Sequence, residues 1–260
     1  MTDDAATDVI RVEVADRVAV VTLDRPAQRN ALNRALQRRI PQAIEALDAD
    51  DEVDVIILTG ADPAFCAGVD LKELGAGASN DLVLPKDARG PLPPHTKPVI
   101  GAINGVAITG GFELALACDF LVASERAHFA DTHARVGVMP GWGLTVLLPQ
   151  AVGVRRAREM STTGNFIDAE TALAWGLVNH VVAHEDLMTT CRGLALDIVS
   201  NDQDGVRQML DTYQRTSLTT AAEGWAIEAE VSRAWASTRL DPTQIEARRQ
   251  AIVARGRRQV

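Results

Sequence analysis

The chain has 260 residues, of which 47% are hydrophobic and 23% charged. That suits one large folded core, with or without a smaller appendage, and excludes a disordered polymer. Lys+Arg 26 against Asp+Glu 35 leaves a net charge of −9, which argues against a broad nucleic-acid surface and leaves any anionic ligand to a local basic cluster.

Residues Val9–Val14 and Arg17–Leu23, with Ala15-Asp16 between them, read as a β-hairpin, and Asp24-Arg25-Pro26 ends it. Leu32, Leu36, Ile40, Ile44 and Leu47 recur at helical spacing, so a helix is expected from Asn30, a plausible N-cap, to about Leu47. Pro41 inside that run predicts a kink or a restart. Val53–Thr59 is a buried strand stopped by Gly60. Residues 75–94 lose periodicity and are dense in Gly, Ala, Ser and Pro, the pattern of a long, mobile, lid-like loop. Strands follow at Val99–Ile103, Phe120–Ala123 and His128–Ala130, with a helix at Gly110–Ala117. Ala151–Thr163 and Ala169–Trp175 read as helices, and Gly176–Val182 closes a helix and opens a strand. From Glu185 onward the pattern is helical almost throughout. Strand–helix units of this kind give an α/β core with right-handed crossovers and an all-helical C-terminal portion.

Two segments carry the chemistry. Lys97–Leu114 reads as a buried strand, a glycine-bearing turn and a helix start, with Gly110-Gly111 at the turn and Glu113 in the first helical turn. Free N–H groups at a helix start can stabilise an oxyanion, and paired glycines let a ligand approach while Glu113 moves a proton. Ala64–Lys72, with Gly68 in its turn, is a second strand-to-helix connection and supplies the other half. Cys66, Cys118 and Cys191 lack metal-ligand spacing, and no metal is expected. An odd number of cysteines after the acidic start Met1-Thr2-Asp3-Asp4 suggests free thiols in a reducing cytoplasm. No apolar run is long enough to span a membrane.

At these residues the chain resembles the crotonase family, the enoyl-CoA hydratase/isomerase superfamily. The motifs are Leu23-Asp24-Arg25-Pro26 with Asn30-Ala31-Leu32, Phe65–Leu71, Lys97-Pro98 to Asn104-Gly105, Gly110–Leu114, Ala117-Cys118-Asp119, Val136–Gly141, Ala172-Leu173 and Gly176-Leu177-Val178. The resemblance implies a crotonase-like α/β spiral of βαβ units over residues 1–200 with an acyl-CoA site. It implies a helical region over 201–260 that packs a homotrimer or hexamer. CoA would enter as part of the substrate, with no other cofactor. The backbone N–H groups of Val69 and Gly110 would form the oxyanion hole. Arg25, Arg29, Ala67, Asp70, Leu71 and Lys72 would line the CoA side, with Trp142 beside the acyl channel. The basic run Arg248-Arg249 and Arg255–Arg258 is a further candidate for CoA phosphates or a solvated helix face.

Glu113 falls where the family's hydratases carry one of two catalytic glutamates. Where they carry the second, this chain has His133, within Phe129-Ala130-Asp131-Thr132-His133-Ala134-Arg135. Imidazole titrates near neutrality, so His133 is expected to share the proton work with Glu113; Asp131, two residues earlier, is a second possibility. A second departure is Pro140-Gly141-Trp142-Gly143-Leu144 in place of the family's glycine pair and Thr-Gln-Arg run. Hydration of an enoyl-CoA is the leading reading. Isomerisation or other enolate chemistry with a single Glu base, and acyl-CoA binding without turnover, are the alternatives. Cys66 reads as a small buried hydrophobe, and a Ser124, His128, Asp131 triad is discounted for want of a Gly-x-Ser-x-Gly elbow.

Overall fold

A computed structural model describes residues 9–75, 90–239 and 241–259. The hairpin is β1 (Ile10–Ala15) and β2 (Val18–Leu23), paired antiparallel from Ile10↔Leu23 to Ala15↔Val18. Its two-residue turn is Asp16-Arg17, both left-handed at φ 52° and 63°, the conformation that matches the twist of the flanking strands. Helix α1 (Arg34–Asp48) follows. Its N-cap is Asn33, not Asn30: the Asn33 side chain accepts from Leu36 N at 3.0 Å. Asn30 is fully buried instead, donating to Ala61 O (2.8 Å) and Ala64 O (2.7 Å) and accepting from Arg25 N (2.9 Å). Pro41 does not restart the helix, which runs through it as one element.

The chain then alternates between two sheets. Strand β3 (Val55–Gly60) is followed by β4 (Ala64–Cys66) and the short helix α2 (Leu71–Gly75). Strands β5 (Val99–Ile103) and β6 (Val106–Ile108) lead into α3 (Gly110–Leu116). Strands β7 (Phe120–Ser124) and β8 (His128–Ala130) lead into α4 (His133–Val136). The odd-numbered members of these pairs join a six-stranded sheet ordered β1-β2-β3-β5-β7-β10, where β10 is His180–Val182. The even-numbered members join a four-stranded sheet ordered β4-β6-β8-β9, where β9 is Ile167–Asp168. From β2 to β10 every neighbouring pair in the larger sheet is parallel. Strands β4, β6 and β8 are also parallel. Each turn of the chain thus gives one strand to each sheet, the crotonase spiral.

The larger sheet is buried on both faces, as parallel sheets are. Ala19, Val21, Ile56, Leu58 and Ile103 pack on one side with Leu36, Ile40 and Ile44 of α1. Val18, Val20, Val55, Ile57, Ile100 and Val122 pack on the other with Leu187, Cys191 and Ala195 of α8 (Leu187–Val199). Between these elements run α5 (Leu144–Val152), α6 (Val154–Thr163) and α7 (Ala169–Trp175). The helix expected over Ala151–Thr163 is broken at Gly153, whose φ of 83° and ψ of 150° no helix accommodates. Helices α9 (Gln203–Thr216), α10 (Ala221–Thr238) and α11 (Pro242–Gln259) complete the chain.

The molecule divides into two compact units at Arg207/Gln208. In the second, α10 starts with a reciprocal capping box between Thr220 and Glu223. Met209, Tyr213, Leu218, Trp225, Ile245 and Ile252 are all at least half exposed there. Most of the lid-like loop read at residues 75–94 lies outside the described residues. Among the described residues, no helix is long and apolar enough to cross a membrane.

Candidate active site

The site forms where three parallel strands end side by side. Cys66 of β4 is in register with Ala107 of β6, and Ala107 and Ile108 are in register with Phe129 and Ala130 of β8. The turns beyond these ends are locked to one another. Gly68, at φ 89°, lies so close to β6 that a Cβ would sit 2.7 Å from Ile108 O. Thr109, a non-glycine at φ 54° and ψ −115°, is held in this strained conformation by its neighbours. Its N–H donates to Ala130 O (3.0 Å), and its Oγ1 lies 2.5 Å from Thr132 Oγ1 and accepts from Thr132 N (3.3 Å). Gly111 is required by packing: a Cβ there would lie 2.2 Å from Cys66 O.

Two backbone donors result. A parallel bridge pairs Leu32 with Val69, using Gly68 O (2.7 Å) and Asp70 N (3.1 Å) and leaving Val69's own N–H out of the pairing. Gly110 is the first residue of α3, so its N–H has no acceptor within the helix. The segments touch: a Cβ on Gly110 would lie 3.5 Å from Val69 Cγ2. Both residues line a cavity of about 170 Å³.

Glu113 and His133 line the same cavity. Glu113 Oε1 accepts from Trp142 N (2.8 Å) and Leu144 N (3.4 Å), which leaves Oε2 facing His133 Nε2 at 3.4 Å. The other ring nitrogen, Nδ1, meets Asp131 Oδ1 at 2.6 Å. All three side chains are buried. Burial alone would lower the His133 pKa, but hydrogen bonds to Asp131 and Glu113 outweigh it and raise it to about 9. Burial would likewise raise the Asp131 carboxyl, but hydrogen bonds from His133 and the Ser161 hydroxyl hold it below its ordinary value. At neutral pH the site holds an imidazolium between two carboxyl groups.

The family model described as enoyl-CoA hydratase/isomerase matches residues 13–243. The chain belongs to the enoyl-CoA hydratase/isomerase family. Among its relatives is a probable peroxisomal enoyl-CoA hydratase 1 of Arabidopsis thaliana, 44% identical over 72% of this chain and 71% of that one. The crystal structure of enoyl-CoA hydratase from Mycobacterium smegmatis is 52% identical, with a TM-score of 0.75 over 88% of this chain and 99% of that one. That of enoyl-CoA hydratase from Mycobacterium tuberculosis H37Rv is 50% identical, with a TM-score of 0.75 over 87% and 98%.

Of the residues singled out in the enoyl-CoA hydratase/isomerase motifs, Ala67, Val69, Leu71, Gly110, Glu113, His133 and Trp142 line the one cavity. Arg25, Arg29, Asp70 and Lys72 do not. Arg25 and Asp70 are engaged with each other at 3.1 Å, and Arg25 also donates to Ala31 O. Their charges fix the bend leading to Val69 rather than pointing free toward a phosphate. Arg29 and Lys72 are exposed and make no ion pair among the described residues. Arg29 carries φ 50° and its carbonyl accepts from Ala67 N at 3.0 Å. Arg249 of the basic run pairs with Glu246 at 2.9 Å.

Trp142 serves the site twice, its ring lining the cavity and its N–H holding Glu113. Val136, Val138 and Met139 also line the cavity and were not singled out by sequence. The apolar run Val136-Gly137-Val138-Met139, with Met139 80% exposed, was the available signal. The Cys66 thiol is pushed up to about 12 by burial and is no nucleophile at neutral pH. His128 is exposed and turned to Arg126 O. Ser124 instead meets His184 Nδ1 (3.0 Å), whose Nε2 lies 3.2 Å from Asp62 Oδ2. Ser124 is fully buried, so this chain of contacts is a clasp between segments.

Proposed function

We propose that this protein hydrates the 2,3 double bond of an enoyl-CoA thioester. The observation that carries the reading is the 3.4 Å approach of Glu113 Oε2 and His133 Nε2 in the cavity lined by Val69 and Gly110. The thioester oxygen would accept from the Val69 and Gly110 N–H groups, which stabilise the enolate as negative charge develops there. Glu113 takes a proton from water as the oxygen bonds to C3. The His133 imidazolium gives its Nε2 proton to C2 as the π electrons form the new C–H bond. The cycle leaves Glu113 protonated and His133 neutral, and transfer from Oε2 to Nε2 restores both.

CoA enters this scheme as part of the substrate, with Arg29 and Lys72 as its exposed cationic contacts and Ala67 and Leu71 beside it. Trp142 and the apolar wall shape the acyl end. The exposed apolar residues of the C-terminal unit, Tyr213, Trp225 and Ile252 among them, support self-association as a homotrimer or hexamer. Three buried free thiols fit a reducing compartment such as the cytoplasm.

The test is crotonyl-CoA turnover, followed by loss of the conjugated thioester chromophore and product identification. Wild type should yield the 3-hydroxyacyl product, and Glu113→Gln should lose about 10²–10⁴-fold in kcat. A shifted double bond without water uptake would assign isomerisation. Tight binding of enoyl-CoA thioesters without turnover would assign a binding protein.

A further inference from the structure

We propose that Asp131 is a positioning residue for proton donation: its carboxylate decides that the proton shared between His133 and Glu113 rests on the imidazole. The inference rests on the hydratase reading for what that proton does, but its geometry stands apart from it.

Asp131 Oδ1 accepts from His133 twice, from the backbone N–H at 3.1 Å and from ring Nδ1 at 2.6 Å. The ring is thereby fixed with Nδ1 as a donor. In a neutral imidazole Nε2 would then be bare and would face Glu113 Oε2 at 3.4 Å. With Glu113 ionised, that contact sets lone pair against lone pair. One further proton resolves it, and it has two places to rest. On Nε2 it makes an imidazolium beside an ionised Glu113; on Oε2 it makes a neutral imidazole beside a neutral acid. Asp131 favours the first by placing a negative charge against Nδ1. Trp142 N and Leu144 N favour it too, by donating to Glu113 Oε1. Only the first arrangement holds a proton on the ring for C2 and a free carboxylate for water.

The charged surroundings are few. Glu113 faces His133 from α3 and Asp131 from the β8–α4 turn. From α6 comes the uncharged Ser161 hydroxyl, bound to Asp131, whereas Arg155, Arg156, Arg158 and Glu159 are exposed. Trp142 and Leu144 bring backbone donors alone. On α4 itself, Arg135 is exposed and donates to Thr163 O and Asn165 Oδ1. The upward shift of His133 agrees with this inventory.

Asp131→Asn keeps the shape and an oxygen for the backbone N–H while removing the charge. The full chain, labelled at histidine Cε1, is titrated by NMR, with the His133 resonance assigned by its loss in His133→Gln. Wild type should titrate near pH 9 and Asp131→Asn at least one pH unit lower. In parallel, kcat for crotonyl-CoA hydration should fall at least tenfold at pH 7.5 and its alkaline limb should move down with the NMR midpoint, while KM stays within twofold. Asp131→Glu, which retains the charge, should keep the limb near its wild-type position. Equal His133 midpoints in wild type and Asp131→Asn would overturn the proposal, as would a kcat loss uniform across pH. If wild type hydrates nothing, the hydratase reading fails, and the NMR titration still decides where Asp131 holds the proton.

Discussion

Replacing Gly111 by alanine is the sharpest test of the link between packing and chemistry. The new Cβ would lie 2.2 Å from Cys66 O and 2.8 Å from Cys66 C and Cβ. Two of these atoms are backbone, so no side chain can swing away. Restoring ordinary contact requires α3 and β4 to part by about 1 Å. Such overpacking costs about 1–3 kcal/mol, partly offset by about 1 kcal/mol of helix propensity gained over glycine. The catalytic cost should be larger. Gly110 N–H and Glu113 ride on α3, Val69 N–H follows β4, and a 1 Å misplacement costs roughly 10²-fold. We expect kcat for crotonyl-CoA hydration to fall about 100-fold, with a modest loss of thermal stability. The control is Gly193→Ala in α8, where a Cβ meets nothing within 4 Å. It should raise stability by about 0.5–1 kcal/mol and leave kcat unchanged. A folded Gly111→Ala enzyme with wild-type kcat would refute the argument that this close approach sets the site.

Two further outcomes are expected. The His133 pKa is raised in the folded state to about 9, so its contribution to stability is complete below the unfolded value of about 6.5 and is lost as pH rises through 9. Urea unfolding should show up to about 3 kcal/mol less stability at pH 10 than at pH 6, and His133→Gln should flatten that difference; parallel pH profiles for the two proteins would refute it. Arg25→Met leaves the Asp70 carboxylate, 10% exposed, without its ion-pair partner; this should cost about 3 kcal/mol. Arg11→Met at the exposed Arg11–Asp24 pair should cost less than 1 kcal/mol by the same unfolding assay.

Much of the larger sheet was legible because its strands are unbroken apolar runs. Val53–Thr59 and Val99–Ile103 read as buried strands, and β3 and β5 lie there within two residues. Strand β6 was hidden: Val106–Ile108 is three residues inside a glycine-rich turn, and it exists because β4 and β8 flank it. Asn30 and Asn33 carry the same local signal for a helix cap. What separates them is Asn30's contact with Ala61 O and Ala64 O, more than thirty residues away. At the site, the glycine turns, Glu113 and His133 were visible as motif positions. The strain at Thr109 and the Trp142 N–H on Glu113 were not, because they arise from segments brought together by the spiral. Arg25 illustrates the opposite error. A lone arginine near a motif suggests a ligand contact, whereas this one is spent on Asp70.

The three parallel strands of the smaller sheet terminate at one level, like rails ending at a single platform. Each rail delivers one component: an amide from beyond β4, an amide and a carboxylate from beyond β6, an imidazole from beyond β8. The rails hold one another through backbone, so the identity of what stands at the end of any one is structurally almost free. Exchanging the proton-bearing group at position 133 is therefore a one-residue edit that leaves the amides untouched. A frame of this kind lets the acid–base pairing drift between chemistries while the grip on the thioester oxygen stays fixed.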